Sequence, residues 1–278
     1  PRPSHFLFKY SIGESHRARI QAIFAADFDI DGCSAEQMDR TYRMETSRGW
    51  ILEYIHIISL QPSICFLILG MFIETIYCGS TGMSTITYAH NYLDRLLMFE
   101  VHVWNYENQG ANIKVNSKKG PESPDFHWNP EVEIEENTWY KSGCIKEEET
   151  EGSGKPCVHI YYNQALPESL KLEQNVPSKS YFYFMTIDVD KHNSYNDFET
   201  AKTLLSQDGI GEILASNHTR NWAEIWDNGL ILLEGGQDVQ ESKLREAIID
   251  SFYYLYSSLP SDSSASQDDV YYGLSPGG

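Results

Sequence analysis

The sequence predicts a mainly β protein, with a large N-terminal β-sandwich followed by linker helices toward the C-terminus. Three observations predict it. As far as about residue 190, short apolar or aromatic runs alternate with polar residues and are broken by turn residues. Beyond residue 194 the apolar positions recur at helical spacing instead. The chain is 278 residues long, 41% hydrophobic and 13% aromatic, enough to bury a substantial core.

Among the strands, residues 97–104 alternate over their second half and place Phe99, Val101 and Val103 on one face. Residues 158–162 and 180–189 are rich in aromatic and β-branched side chains, which fit a pleated, half-buried surface. Residues 105–110 and 120–130 supply turns. Residues 131–151 are acidic, with Glu147, Glu148, Glu149 and Glu151 reading as a solvated loop. A first helix is expected with Ser194 or Asn196 as N-cap, Asp197 and Glu199 in its first turn, and an apolar stripe of Phe198, Ala201, Leu204 and Leu205 ending at Gly209. A second is expected over residues 210–226, with Ile213, Leu214, Trp222, Ile225 and Trp226 near one face and Asn228-Gly229 ending it. The third is expected to start at Asp238 and bury Leu244, Ala247, Ile248, Phe252, Leu255 and Tyr256 before Pro260. The organisation expected is a sandwich over 1–190, a helical linker over 191–260, and a polar linker with a terminal loop over 261–278.

Residues 51–78 stand apart as an atypical, apolar insertion. Gln61, Pro62 and Glu74 interrupt them, so they fall short of the about 20 apolar residues a membrane helix needs. Lys plus Arg total 21 against 40 Asp plus Glu, a net charge of −19 that repels phosphate backbones and anionic headgroups. Nucleic-acid and membrane partners are thereby excluded as expectations. Cys33, Cys65, Cys78, Cys144 and Cys157 have no metal-ligand spacing and read as scattered free thiols, although Cys144 and Cys157 flank the acidic loop and can be bridged. Asn217-His218-Thr219 is a glycosylation sequon, but it falls within the second helix.

Nucleophile-elbow, P-loop, dinucleotide and His-Glu-x-x-His patterns are absent, and no metal or cofactor is expected. Asp188 and Asp190 share a strand face. Glycoside hydrolysis needs two carboxyls on opposite sides of the scissile bond, roughly 5–9.5 Å apart. Neighbours on one face cannot flank a substrate, so a strand-end role is expected for this pair. His16 and His90 are each read first as satisfied structural groups and second as sugar contacts. Arg17 and Arg19 are read as partners of the acidic surface. Trp222 and Trp226, four residues apart, are read as helix packing before a sugar platform.

Four segments resemble, in the right order, the acid-trehalase-like proteins of glycoside hydrolase family 65. They are residues 13–20 (Gly-Glu-Ser-His-Arg-Ala-Arg-Ile), 88–91 (Tyr-Ala-His-Asn), 217–226 (Asn-His-Thr-Arg-Asn-Trp-Ala-Glu-Ile-Trp) and 273–278 (Gly-Leu-Ser-Pro-Gly-Gly). The last resembles the branch that trims glucose from collagen-type disaccharides. In that family an (α/α)6 barrel carrying the general acid and the glucose subsite follows this loop. The resemblance therefore implies that the catalytic barrel is missing and that no catalytic residue lies in this chain. Pro1-Arg2-Pro3 at one end and the glycine-rich loop at the other also read as the edges of a piece of a larger protein.

The substrate-adjacent candidates implied are Ser275, Pro276, Gly277 and Gly278, whose glycines permit close backbone approach to a sugar. The partner implied is a carbohydrate, the glucosyl-galactosyl-hydroxylysine glycopeptide, bound through the missing barrel. Alternatives are a non-catalytic carbohydrate-binding module, a family 65 disaccharide phosphorylase or trehalase, and a mis-spliced product.

Overall fold

The computed structural model describes residues 7–10, 14–17, most of 20–45, nearly all of 70–227, Gly229 and part of a helical segment between 244 and 256. Two antiparallel sheets pack face to face. The larger runs in the order β10 (Val132–Glu135), β11 (Thr138–Ile145), β12 (Cys157–Tyr162), β14 (Ser178–Asp188), β7 (Leu96–Asn105), β6 (Thr81–Ala89), β5 (Met71–Cys78), β4 (Asp39–Glu45), with β9 (Phe126–Trp128) on β11. The smaller has the order β13 (Ser169–Leu172), β8 (Ala111–Ser117), β3 (Ala26–Ile30). A separate hairpin joins β1 (Leu7–Tyr10) to β2 (Glu14–Arg17).

Period-2 alternation decides which residues fill the sandwich. Phe99, Val101 and Val103 of β7 face inward as their spacing predicts, meeting Phe28, Ile113 and Leu170 from the smaller sheet. The rings of Phe24, Phe28, Phe99 and Tyr183 lie 6.0–6.3 Å apart through this layer. The other face of β7 is also buried at its start. Leu96 and Met98 pack with Tyr88, Phe184 and Tyr161 beneath α1 (Lys191–Asp208) and α2 (Glu212–Asp227). A strand covered on both sides explains why the first half of β7 shows no alternation.

Several expectations need correction. The first helix begins earlier than Ser194 or Asn196: Asp190 is its N-cap, its carboxylate accepting from His192 N and Asn193 N. The helix follows β14 after only Val189 and Asp190, so the residue just past the strand end is the one placed to cap the helix. Asp197 and Glu199 consequently lie beyond the first turn. Gly209 ends α1 in the left-handed region at φ 67°. An added Cβ there meets no atom within 4 Å, so Gly209→Ala isolates backbone strain; we expect a loss of about 1–2 kcal/mol in urea denaturation, and less for Gly209→Asn.

The acidic stretch is not one loop. Much of it is the hairpin of β10 and β11, turning through Asn137 at φ 57°. Glu133 and Glu135 sit on a strand exposed along its whole length, whereas Glu147 and Glu148 lie exposed beyond β11 in a loop, as expected, and Glu149 and Glu151 lie outside the described residues. Met71–Cys78 of the apparent insertion is a regular strand between β4 and β6; residues 51–69 lie outside the described residues. Nor are the cysteines all free thiols: Cys33 bonds Cys78 and Cys144 bonds Cys157. The first pair is distant in sequence and meets only because β5 returns beside the β3–β4 turn. In the third helical segment Leu244, Ala247 and Leu255 are exposed, while Phe252 and Tyr256 pack against Trp222 and Trp226.

Candidate functional site

Two of the segments that carry the family resemblance, far apart in sequence, meet at one buried junction. β6 ends at Ala89, and the chain turns through His90 and Asn91 toward β7. His90 is fully buried: its Nδ1 accepts from Tyr92 N at 3.1 Å and Leu93 N at 2.9 Å, and its Nε2–H donates to Leu214 O of α2 at 3.0 Å. Asn91 N donates to His218 Nδ1 at 3.0 Å, and Asn221 Nδ2 donates to Asn91 O at 3.4 Å. The His218 ring lies 4.6 Å from that of Tyr88. Burial lowers the His90 pKa to about 4, so the imidazole is neutral near pH 7. The expectation of a satisfied structural histidine holds at His90.

Trp222 and Trp226 complete the junction from below. Both are buried; Trp222 stacks on Tyr253 at 5.0 Å, and Trp226 meets Tyr256 edge-on at 5.3 Å. They serve packing, and with so little exposed ring neither offers a face to a sugar.

On the same outer face of the large sheet a second polar group continues the line. Tyr88 Oη donates to Glu100 Oε1 at 2.7 Å, and His102 Nε2 donates to Glu100 Oε2 at 3.0 Å. On its other side the His102 ring meets the Ser180 hydroxyl, with Nδ1 2.8 Å from Oγ. Burial, then the nearby Glu100, raise the Tyr88 pKa well above its ordinary value, so the phenol remains a donor.

The strand-end aspartates are anchors. Arg95 donates through Nε to Asp188 and through a terminal nitrogen to Asp197 at 3.2 Å, tying the start of β7 to the end of β14 and to α1. Asp190 caps α1, as above. Burial raises the Asp197 pKa, against the opposing pull of Arg95. Elsewhere Glu74 pairs with Arg40 at 3.5 Å, and Glu122 with the buried Lys141 at 2.5 Å. These carboxylates hold elements together, and none of the bonds sets two of them on opposite sides of a cleft. Among the described residues no group of three or more His, Cys, Asp or Glu is placed to hold a metal ion.

Ser275, Pro276, Gly277 and Gly278 lie outside the described residues, as does Arg19. His16 and Arg17 fall on the backbone of β2. Sequence reasoning passed over Arg95, Glu100, His102 and Ser180. The signal for two of them was present: the alternation that sends Phe99, Val101 and Val103 inward sends Glu100 and His102 to the opposite face.

No protein-family profile matches the chain. Among curated proteins it is 22% identical over 275 residues to the protein-glucosylgalactosylhydroxylysine glucosidase of Mus musculus, covering 98% of this chain and 35% of that protein. It is 24% identical to the proteins of the same name from Gallus gallus over 211 residues and Danio rerio over 212, covering 75% of this chain and 28% and 31% of theirs. A solved structure described as a kojibiose phosphorylase from the human microbiome superposes on 68% of this chain and 28% of its own, with 13% identity and a TM-score of 0.45. The chain spans about a third of the length of the curated relatives it matches. Its curated homologues are thus proteins named protein-glucosylgalactosylhydroxylysine glucosidase, of glycoside hydrolase family 65.

Proposed function

We propose that this chain is the β-sheet scaffold of a glucosidase that removes the α-glucosyl residue from the glucosyl-galactosyl-hydroxylysine glycopeptide of collagen-type proteins. The observation that carries the reading is the match along 98% of the chain to a glucosidase named for that substrate. The engagement of the carboxylates described above in ion pairs, hydrogen bonds and a helix cap supports a second part of the reading. The reacting carboxyls lie in the part of the relatives' length that this chain does not span, and Ser275, Pro276, Gly277 and Gly278 are the substrate-adjacent candidates. The chain alone is then inactive.

Glucose release from the glycopeptide tests this, comparing residues 1–278 with a protein extended through the full length of its relatives. Turnover is expected only from the extended protein. Equal turnover by residues 1–278 overturns the placement of the chemistry. Strict dependence on inorganic phosphate, with glucose 1-phosphate as product, overturns hydrolysis in favour of phosphorolysis.

A further inference from the structure

Among the described residues, α1 and α2 cover only part of the outer face of the large sheet. The α1–α2 turn rests on Phe182, where a Cβ at Gly211 would come within 2.6 Å of the ring. Past Phe182 the face carries Ser180, His102, Ser84, Thr75, Trp104 and Tyr77, set side by side by the registers Ser180↔His102, Ser84↔His102, Thr75↔Ser84 and Tyr77↔Gly82. Ser180 is exposed, and the others are half-buried.

The aromatic part of this patch is preorganised. Trp104 stands opposite Gly82, and its indole lies directly over that glycine, where an added Cβ would be 2.6 Å from Nε1. Glycine lets the ring lie flat against the backbone, which leaves its second face turned away from the sheet. Tyr77 braces it edge-on at 5.7 Å and 70°. One pleat away, His102 is fixed between Glu100 and Ser180, and Thr75 and Ser84 share a hydrogen bond of 2.9 Å. Phe182 meets the His102 ring edge-on at 6.2 Å.

A flat, braced indole beside a row of hydroxyls and an imidazole is the chemistry that recognises a pyranose. The apolar C–H face of the sugar lies on the ring, while its hydroxyls bond planar or hydroxylic side chains. The net charge of −19 disfavours an anionic occupant. The Ser180–His102–Glu100 line superficially resembles a nucleophile with its base. However, all three stand side by side on one face of neighbouring antiparallel strands, which suits them to hydrogen-bonding a molecule laid on that face. The geometry points to a non-catalytic binding surface for a neutral hexose on the outer face of the large sheet, with Trp104 as the stacking platform and His102 and Ser180 as hydrogen-bonding groups.

The 278-residue chain titrated with glucose, galactose and the glucosyl-galactose disaccharide, followed by amide NMR and tryptophan fluorescence, tests it. We expect saturable shifts at millimolar sugar confined to residues 75–84, 100–104 and 178–182. Trp104→Ala should weaken binding at least about tenfold. Gly82→Ala keeps the tryptophan but lifts its ring, and should weaken binding comparably. Ser180→Ala removes an exposed hydroxyl without touching the core and should weaken it several-fold. Absence of saturable shifts with all three sugars, or shifts that Trp104→Ala and Gly82→Ala both leave unchanged, overturns the proposal. The readout is binding, so failure of the glucose-release assay does not bear on it.

Discussion

Replacing Trp222 by alanine is expected to destabilise the protein by about 3–5 kcal/mol, the range for removing a large buried aromatic. The indole is 1% exposed and is held on three sides, by Tyr253, Trp226 and His218. Its fourth contact is Gly70, at φ 64°, where an added Cβ would come within 2.5 Å of Nε1. Most of the lining is rings and backbone, which cannot collapse far into the void left by alanine. Gly70→Ala should be damaging for the converse reason: it combines a left-handed backbone with an atom placed inside the indole. Urea denaturation followed by far-ultraviolet circular dichroism and by tyrosine fluorescence measures both. A loss below about 1 kcal/mol for Trp222→Ala would show that α2 is not part of the cooperative unit. The consequence reaches the junction as a whole, because α2 also carries His218 and Leu214, which bond Asn91 and His90.

How much was readable from sequence depends on whether the signal was local. The strand at 99–103, the strands near 158 and 180, the stop at Gly209 and the packing role of Trp222 and Trp226 all follow from residue type and period over a few positions. The N-cap was misplaced because Ser194 and Asn196 have the right chemistry. What selects Asp190 is the absence of a loop after β14, a property of chain direction rather than of residue type. Met71–Cys78 continues an apolar run and so reads with the insertion, and only its pairing with β4 and β6 marks it as sheet. Cys33 and Cys78 are brought together by that same pairing, which spacing alone does not reveal.

The candidate sites divide along the same line. Asp188 is legible as a strand-end group, whereas Asp190 lies past the end of β14 and caps α1, so the two do not share a strand face. The Glu100–His102–Ser180 line was not legible, since Ser180 comes from a strand 78 positions further on, joined to β7 only by register. Trp104 likewise acquires its meaning from Gly82, which lies opposite it and not beside it in sequence.

Acid should release the junction between α2 and the sheet through His90. Desolvation holds its pKa at about 4, below the unfolded value of 6.5, with the hydrogen bond to Leu214 opposing only in part. The bonding agrees in sense: two backbone N–H groups already donate to Nδ1, so a second proton has no acceptor there. The unfolded chain therefore binds the proton more readily than the folded one. Stability from this residue is fully present above pH 6.5, falls as pH drops below 6.5, and is exhausted below about 4. A displacement from 6.5 to about 4 corresponds to about 3 kcal/mol across that window. The other ionisable groups facing the junction are His218 on α2 and Tyr88 with Glu100 on the sheet, and carboxylates elsewhere add their own acid dependence. The comparison that isolates His90 is the difference in urea stability between the wild-type protein and His90→Gln, measured from pH 7.5 to about 4. The wild type should lose about 3 kcal/mol more than the variant over this range; parallel curves would show that His90 accepts its proton without breaking the contact to α2.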